Sequence, residues 1–91
     1  MEYLHKEFDL AEGDIVEVTL AGNAANVLLL DAANFQNYQH GKPYRYYGGY
    51  ARTSPFRIQA PRPGRWHLVV DLGGGAGRVR ASSRVISGAM S

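Results

Sequence analysis

From Asp14 to Leu20 the side chains alternate without a break. Val16, Val18 and Leu20 fall on one side, Ile15, Glu17 and Thr19 on the other. A period of two marks extended backbone with one buried face, because successive side chains of a strand point in opposite directions. The pattern returns twice. Between Arg65 and Leu72, Trp66, Leu68, Val70 and Leu72 oppose Arg65, His67 and Asp71. Near the C-terminus, Val79, Ala81, Ser83 and Val85 oppose Arg78, Arg80, Ser82 and Arg84. No stretch carries a sustained apolar stripe at helical spacing, so strands must supply the core.

Other segments extend the series. Ala25 to Asp31 holds the continuous run Val27 to Leu30, as expected of a central strand covered on both faces. Phe56 to Ile58 reads as a short strand, Tyr44 to Tyr50 as an extended segment bent at Gly48 and Gly49, and Tyr3 to Phe8 as an edge strand. Turn residues separate them at Glu12–Gly13, Gly22–Asn23, Gly41–Pro43, Pro61–Gly64 and Gly73–Gly77. Asp31 is placed to cap a helical turn, with Phe35 and Tyr38 three residues apart. The reading is an all-β, antiparallel β-sandwich of seven or eight short strands, with at most one helical turn near residues 32–39. A single domain is expected over residues 1–86, with a flexible tail over 87–91. Its predicted core is Val16, Val18, Leu28, Leu30, Phe56, Trp66, Leu68 and Val70.

Several classes of protein are disfavoured. With no cysteine among 91 residues there is no disulfide framework and no thiolate chemistry. The opening residues carry Glu2, His5, Lys6, Glu7 and Asp9, which leaves no apolar segment for secretion, and Val27 to Leu30 is far too short to span a bilayer. A cytoplasmic protein with no membrane association is expected. The net charge of +2 is unevenly spread: residues 1–41 hold seven acids and one base, residues 42–91 nine bases and one acid. Two explanations compete, an anion-binding surface or cross-strand pairing between the halves, and pairing is the simpler.

Read in order, Glu12 to Leu20, Gly22 to Asp31, Tyr44 to Tyr50, Ser54 to Ile58 and Pro63 to Leu72 closely resemble a small bacterial family, Domain of Unknown Function 1883. The resemblance spans roughly residues 2–86 and is most specific at Trp66 and at Arg45 to Gly49. It implies an all-β sandwich found alone or attached to signalling domains of the TIR type, and no established activity. A looser likeness, in the order of the Gly13–Asp14, Asp31, Ser54–Phe56 and Pro63–Trp66 motifs, is to jelly-roll sandwiches appended to secreted peptidases. It implies a jelly-roll-like arrangement.

The ligand-binding candidates are Tyr44, Arg45, Tyr46, Tyr47, Tyr50 and Arg52. Aromatic faces stack on sugars or bases, and arginine adds a planar donor fork for phosphate or carboxylate. The alternative is a strand of half-buried tyrosines with hydroxyls at its rim. A second candidate is a basic face of Arg57, Arg65, Arg78, Arg80 and Arg84, for which Glu7 and Glu17 are possible cross-strand partners. His5, His40 and His67 are far apart in sequence and lack a ligand spacing, so they are read as surface or edge residues with no metal. Gly73, Gly75 and Gly77 lack the spacing of a dinucleotide loop and read as a hairpin connection. No nucleophile with an adjacent base stands out, so neither catalysis nor a cofactor is expected. The expected function is a non-catalytic binding module for an anionic or glycan-like ligand or a protein partner. A domain that pairs through edge strands, including as a homodimer, is the first alternative; nucleic-acid binding, for which +2 is a thin charge, is the second.

Overall fold

The computed structural model describes residues 3–73 and 77–87. Seven strands form, β1 (Tyr3–Leu10), β2 (Ile15–Gly22), β3 (Ala25–Leu30), β4 (Tyr47–Ala51), β5 (Phe56–Gln59), β6 (Gly64–Asp71) and β7 (Val79–Ile86), with one helix, α1 (Ala32–Gln39), between β3 and β4. They make two antiparallel sheets, one ordered β1-β6-β3-β4 and the other β5-β2-β7. This is the all-β sandwich that the alternation predicts. Residues 74–76 of the expected hairpin connection and 88–91 of the expected tail lie outside the described residues.

The sheet orders identify the topology. An eight-stranded jelly roll has sheets ordered B-I-D-G and C-H-E-F. Reading β1 as C and β7 as I reproduces C-H-E-F in the larger sheet and I-D-G in the smaller. Among the described residues only strand B has no counterpart. Its place would be beside β7, which is an edge strand among the described residues, as β1 is of the larger sheet.

The two sheets bury Leu10, Val16, Val18, Ala25, Val27, Leu29, Ile58, Trp66, Leu68 and Val70 between them. Each large apolar side chain among these contributes on the order of 1.5–3 kcal/mol when fully removed from water. Trp66 has its indole N–H bonded to the Arg62 carbonyl at 3.1 Å, which removes the cost of burying that donor. Phe56 packs on the rim of this core. Leu28 and Leu30 are buried as predicted, but on the opposite side of β3, where they join Phe35, Tyr38 and Val69 under α1. Val27 and Leu29 take the interior positions.

The helix is longer than a single turn. Asp31 caps it by accepting from the Asn34 backbone N–H at 2.9 Å, and the chain continues helically for eight residues to Gln39. Phe35 and Tyr38 are its buried contacts, lying on the outer face of the larger sheet. That cover changes the environment of β6: His67 and Asp71 point away from the interior, as the alternation requires, yet both are buried.

Candidate functional site

The segment from Tyr44 to Arg52 runs from the end of α1 into β4, an edge strand, and its side chains divide between two faces. Tyr44 and Tyr46 line a small cleft of about 270 Å³ with Tyr38, Asn26 and Asp71 on the outer face of the larger sheet. Tyr50, opposite Asn26 in the strand register, sits on that face too, with the Arg52 guanidinium 5.8 Å from its ring centre. Arg45 and Tyr47 line a different pocket with Asp31, Arg62 and Trp66, and Tyr47 meets Trp66 edge to face at 5.8 Å. The segment is thus brought together as a strip but not as one surface. The division follows the period of two; Gly48, at φ +124°, instead serves the close approach of β4 to β3, where a β-carbon would lie 2.1 Å from the Val27 carbonyl oxygen.

The floor of the cleft is fixed by Asp71. Its carboxylate accepts from Asn26 Nδ2 at 2.9 Å, the Tyr38 hydroxyl at 2.5 Å and the Gly73 backbone N–H at 2.8 Å. Burial first, and then the bond to Asp71, drives the Tyr38 phenol far above its ordinary pKa. Tyr44, packed edge to face on Tyr38 at 5.3 Å, is also raised, mainly by burial. Both phenols are therefore neutral donors at physiological pH. Asp71, holding three donors, is committed to structure.

The basic residues do not form one face. Arg57 on β5 and Arg84 on β7 flank Glu17 on β2, at 2.9 and 2.7 Å. Hydrogen bonding from Arg84, with Arg57 behind it, holds the Glu17 carboxyl below its ordinary pKa. Arg65 belongs to the other sheet and binds Glu7 and Asp9 at 3.0 Å each. Arg62 pairs with Asp31 at 2.7 Å and lies 4.9 Å from the Trp66 ring centre. Arg78 and Arg80 have no carboxylate partner among the described residues. They line a groove of about 660 Å³ with Tyr3, Leu4 and the end of β6, on the side where strand B would lie. Cross-strand pairing accounts for much of the charge asymmetry, and these two arginines are outside it.

One constellation was not legible. His5 and His67, 62 positions apart, meet with Nε2 of one 2.9 Å from Nδ1 of the other. Glu7 Oε1 lies 3.9 Å from the same His67 nitrogen. The Phe35 ring stacks on both imidazoles at 4.3 and 4.4 Å. Burial lowers the His67 pKa, so its ring is held neutral. The signal lay in the period of two, which puts His5 and Glu7 on one face of β1. Only the pairing of Glu7 with His67 in the β1–β6 register completes it. His40 stands apart as the C-cap of α1.

Among the described residues no helix is long and apolar enough to cross a membrane. The model of a family described as Domain of unknown function (DUF1883) matches residues 1–88. No curated protein and no solved structure matches the chain.

Proposed function

From the premise that this chain belongs to the DUF1883 family, whose description assigns no activity, we propose a role on the geometry of its surface: a non-catalytic binding module that holds its ligand on the tyrosine–arginine strip. The observation that carries this reading is the exposure of the strip. Of six large apolar side chains left exposed among the described residues, four are Tyr44, Tyr46, Tyr47 and Tyr50, between 38% and 59% accessible. Three of them, Tyr44, Tyr46 and Tyr50, share the outer face of the sheet, and rigid amphipathic rings exposed together are what recognition surfaces use. On the face of the cleft Arg52, beside Tyr50, supplies a guanidinium donor with no carboxylate partner among the described residues. The cleft between Tyr44, Tyr46 and the Asn26–Asp71 pair suits a hydroxyl-bearing ring, stacked on a phenol and edged by polar atoms, with an acidic group reaching arginine.

The ionisable groups at the cleft support a binding rather than a catalytic role. Asp71 is spent on internal hydrogen bonds and Tyr38 is locked onto it. The proposal includes a bacterial setting, which the family resemblance implies, and a cytoplasmic one, with which the absence of cysteine agrees. A screen of acidic and neutral oligosaccharides by thermal shift, followed by titration of any hit, tests it. Tyr46→Ala and Tyr50→Ala are expected to weaken binding by about tenfold or more, or about 1.4 kcal/mol each, with the fold intact. Binding that is unchanged in both variants, or no hit in the screen, rejects the strip as a glycan site.

A second reading is favoured by the topology. The edge of β7, unpaired among the described residues and beside a groove lined by Arg78 and Arg80, would accept a strand from a partner protein at the position of strand B. Amide exchange on a complex separates the two readings. Ligand on the strip protects residues 44–52, and strand addition protects residues 79–86.

A further inference from the structure

Strands β1 and β6 pair with Glu7 opposite His67 and His5 opposite Val69. The period of two then places His5, Glu7 and His67 together on the outer face of the sheet, beside α1. Their nitrogen and oxygen donors all lie within 4.8 Å of one another. Bonds of about 2.0–2.1 Å to a tetrahedral or octahedral cation put neighbouring donors about 2.9–3.4 Å apart. The His5–His67 separation of 2.9 Å is already in that range, and the His67–Glu7 separation of 3.9 Å is wider than it. Glu7 is exposed, so its carboxylate closes the gap by a small side-chain rotation.

The surroundings hold these donors together. Phe35 lies parallel to both imidazoles, at 15° to His5 and 6° to His67, and the two imidazoles lie within 12° of each other. The two imidazoles lie nearly coplanar with their nitrogens head-on, 2.9 Å apart on a 5.2 Å line between ring centres, and Phe35 covers one side of both; a turn of His5, at an exposed position, brings the two lone pairs toward one cation. Arg65 holds Glu7 through Oε2, leaving Oε1 turned to His67, and its charge is already met by Glu7 and Asp9. A support of this kind on a ligand's far oxygen is what orients carboxylates at metal sites.

We propose that His5, Glu7 and His67 form a binding site for a divalent transition-metal cation of the zinc class, open to solvent at its remaining positions. Two imidazoles and one carboxylate select a borderline cation over magnesium or calcium, which require more oxygen donors. Binding replaces the hydrogen bond between the rings. The proton shared by the facing nitrogens moves to the far nitrogen of the ring that carries it, both facing lone pairs go to the cation, and each imidazole stays neutral. With three protein donors, water or an incoming ligand completes the coordination.

The test is calorimetric titration of the tag-free protein with zinc chloride, with the cobalt absorption spectrum as a second readout. One equivalent should bind saturably, cobalt should give d–d bands, and the His5 and His67 ring resonances should shift together. His5→Ala should abolish binding, and Glu7→Gln should weaken it about tenfold or more. His40→Ala, which removes the histidine outside the cluster, should bind as the parent does. His67→Gln should also abolish binding; if that buried position does not tolerate change, His5→Ala and Glu7→Gln, both at exposed positions, decide the matter. Absence of saturable binding, binding retained in both exposed-site variants, or binding lost with His40→Ala overturns the site.

Discussion

Glu17 shows how a single side chain can link two halves of opposite charge. It sits in the middle of β2, almost covered, with one carboxylate oxygen on Arg57 and the other on Arg84. Because its pKa is depressed in the folded state, the ionised carboxylate contributes stability that is complete above the ordinary value of 4.5 and is lost as pH falls through the folded one. Glu17→Gln should therefore lower stability at neutral pH and flatten the acid limb of a stability–pH curve measured by urea unfolding. An acid limb as steep as the parent's would contradict this assignment. Gly48 makes a different demand. Gly48→Ala meets the Val27 carbonyl at a backbone angle that favours glycine, and the expected loss is about 1–3 kcal/mol by the same measurement. The two residues differ in how far sequence advertises their roles. Glu17 is visible as a polar position in an alternating strand, whereas the contact of Gly48 exists only once β3 and β4 are in register.

At the scale of elements, the strands were readable because their cause is local. Val16 and Val18, or Trp66, Leu68 and Val70, declare an inward face in their own spacing. What covers the outward face is not local. The sequence shows His67 and Asp71 on the polar side of β6, and nothing in that strand says that Phe35 and Tyr38 will lie over them. The run Val27 to Leu30 illustrates the same limit. A strand buried on both sides has no alternation to break the tie, so the choice of Leu28 and Leu30 for the interior was reversed by packing while their burial was not. The helix itself depends on Asp31, which accepts from Asn34 and pairs with Arg62. Asp31→Ala should cost about 0.5–2 kcal/mol as a lost cap. Because α1 carries Phe35 onto the imidazoles, the same variant should also broaden the His5 and His67 ring resonances. Unchanged resonances would mean that the helix is held by Phe35 and Tyr38 alone.

For the whole molecule, β7 and β1 are edge strands of their sheets among the described residues. The β7 edge is constrained by its own charges. In an antiparallel pair, residues opposite one another share a face, so two copies of β7 can pair only in registers that keep the arginine-bearing face continuous. Centring the pair on Ser82 sets Arg80 against Arg84 twice, and centring it on Ala81 sets Arg78 against Arg84 twice. Like charges directly opposite are destabilising, and Arg78 and Arg80 have no carboxylate partner among the described residues to offset them. Self-pairing along β7 in the registers centred on Ser82 and Ala81 is thus opposed where salt is low. A partner strand with acidic residues at alternate positions meets the same edge with attraction. Sedimentation velocity over a series of salt concentrations should accordingly show a monomer at low ionic strength, with any self-association growing as salt screens the arginines over a Debye length of about 10 Å at 0.1 M. Arg80→Glu should reverse that trend, because a carboxylate opposite Arg84 turns the repulsive register into an attractive one and favours dimers most strongly when salt is low. A parent protein that dimerises best at low salt would show that its contact is not β7 in the registers centred on Ser82 or Ala81.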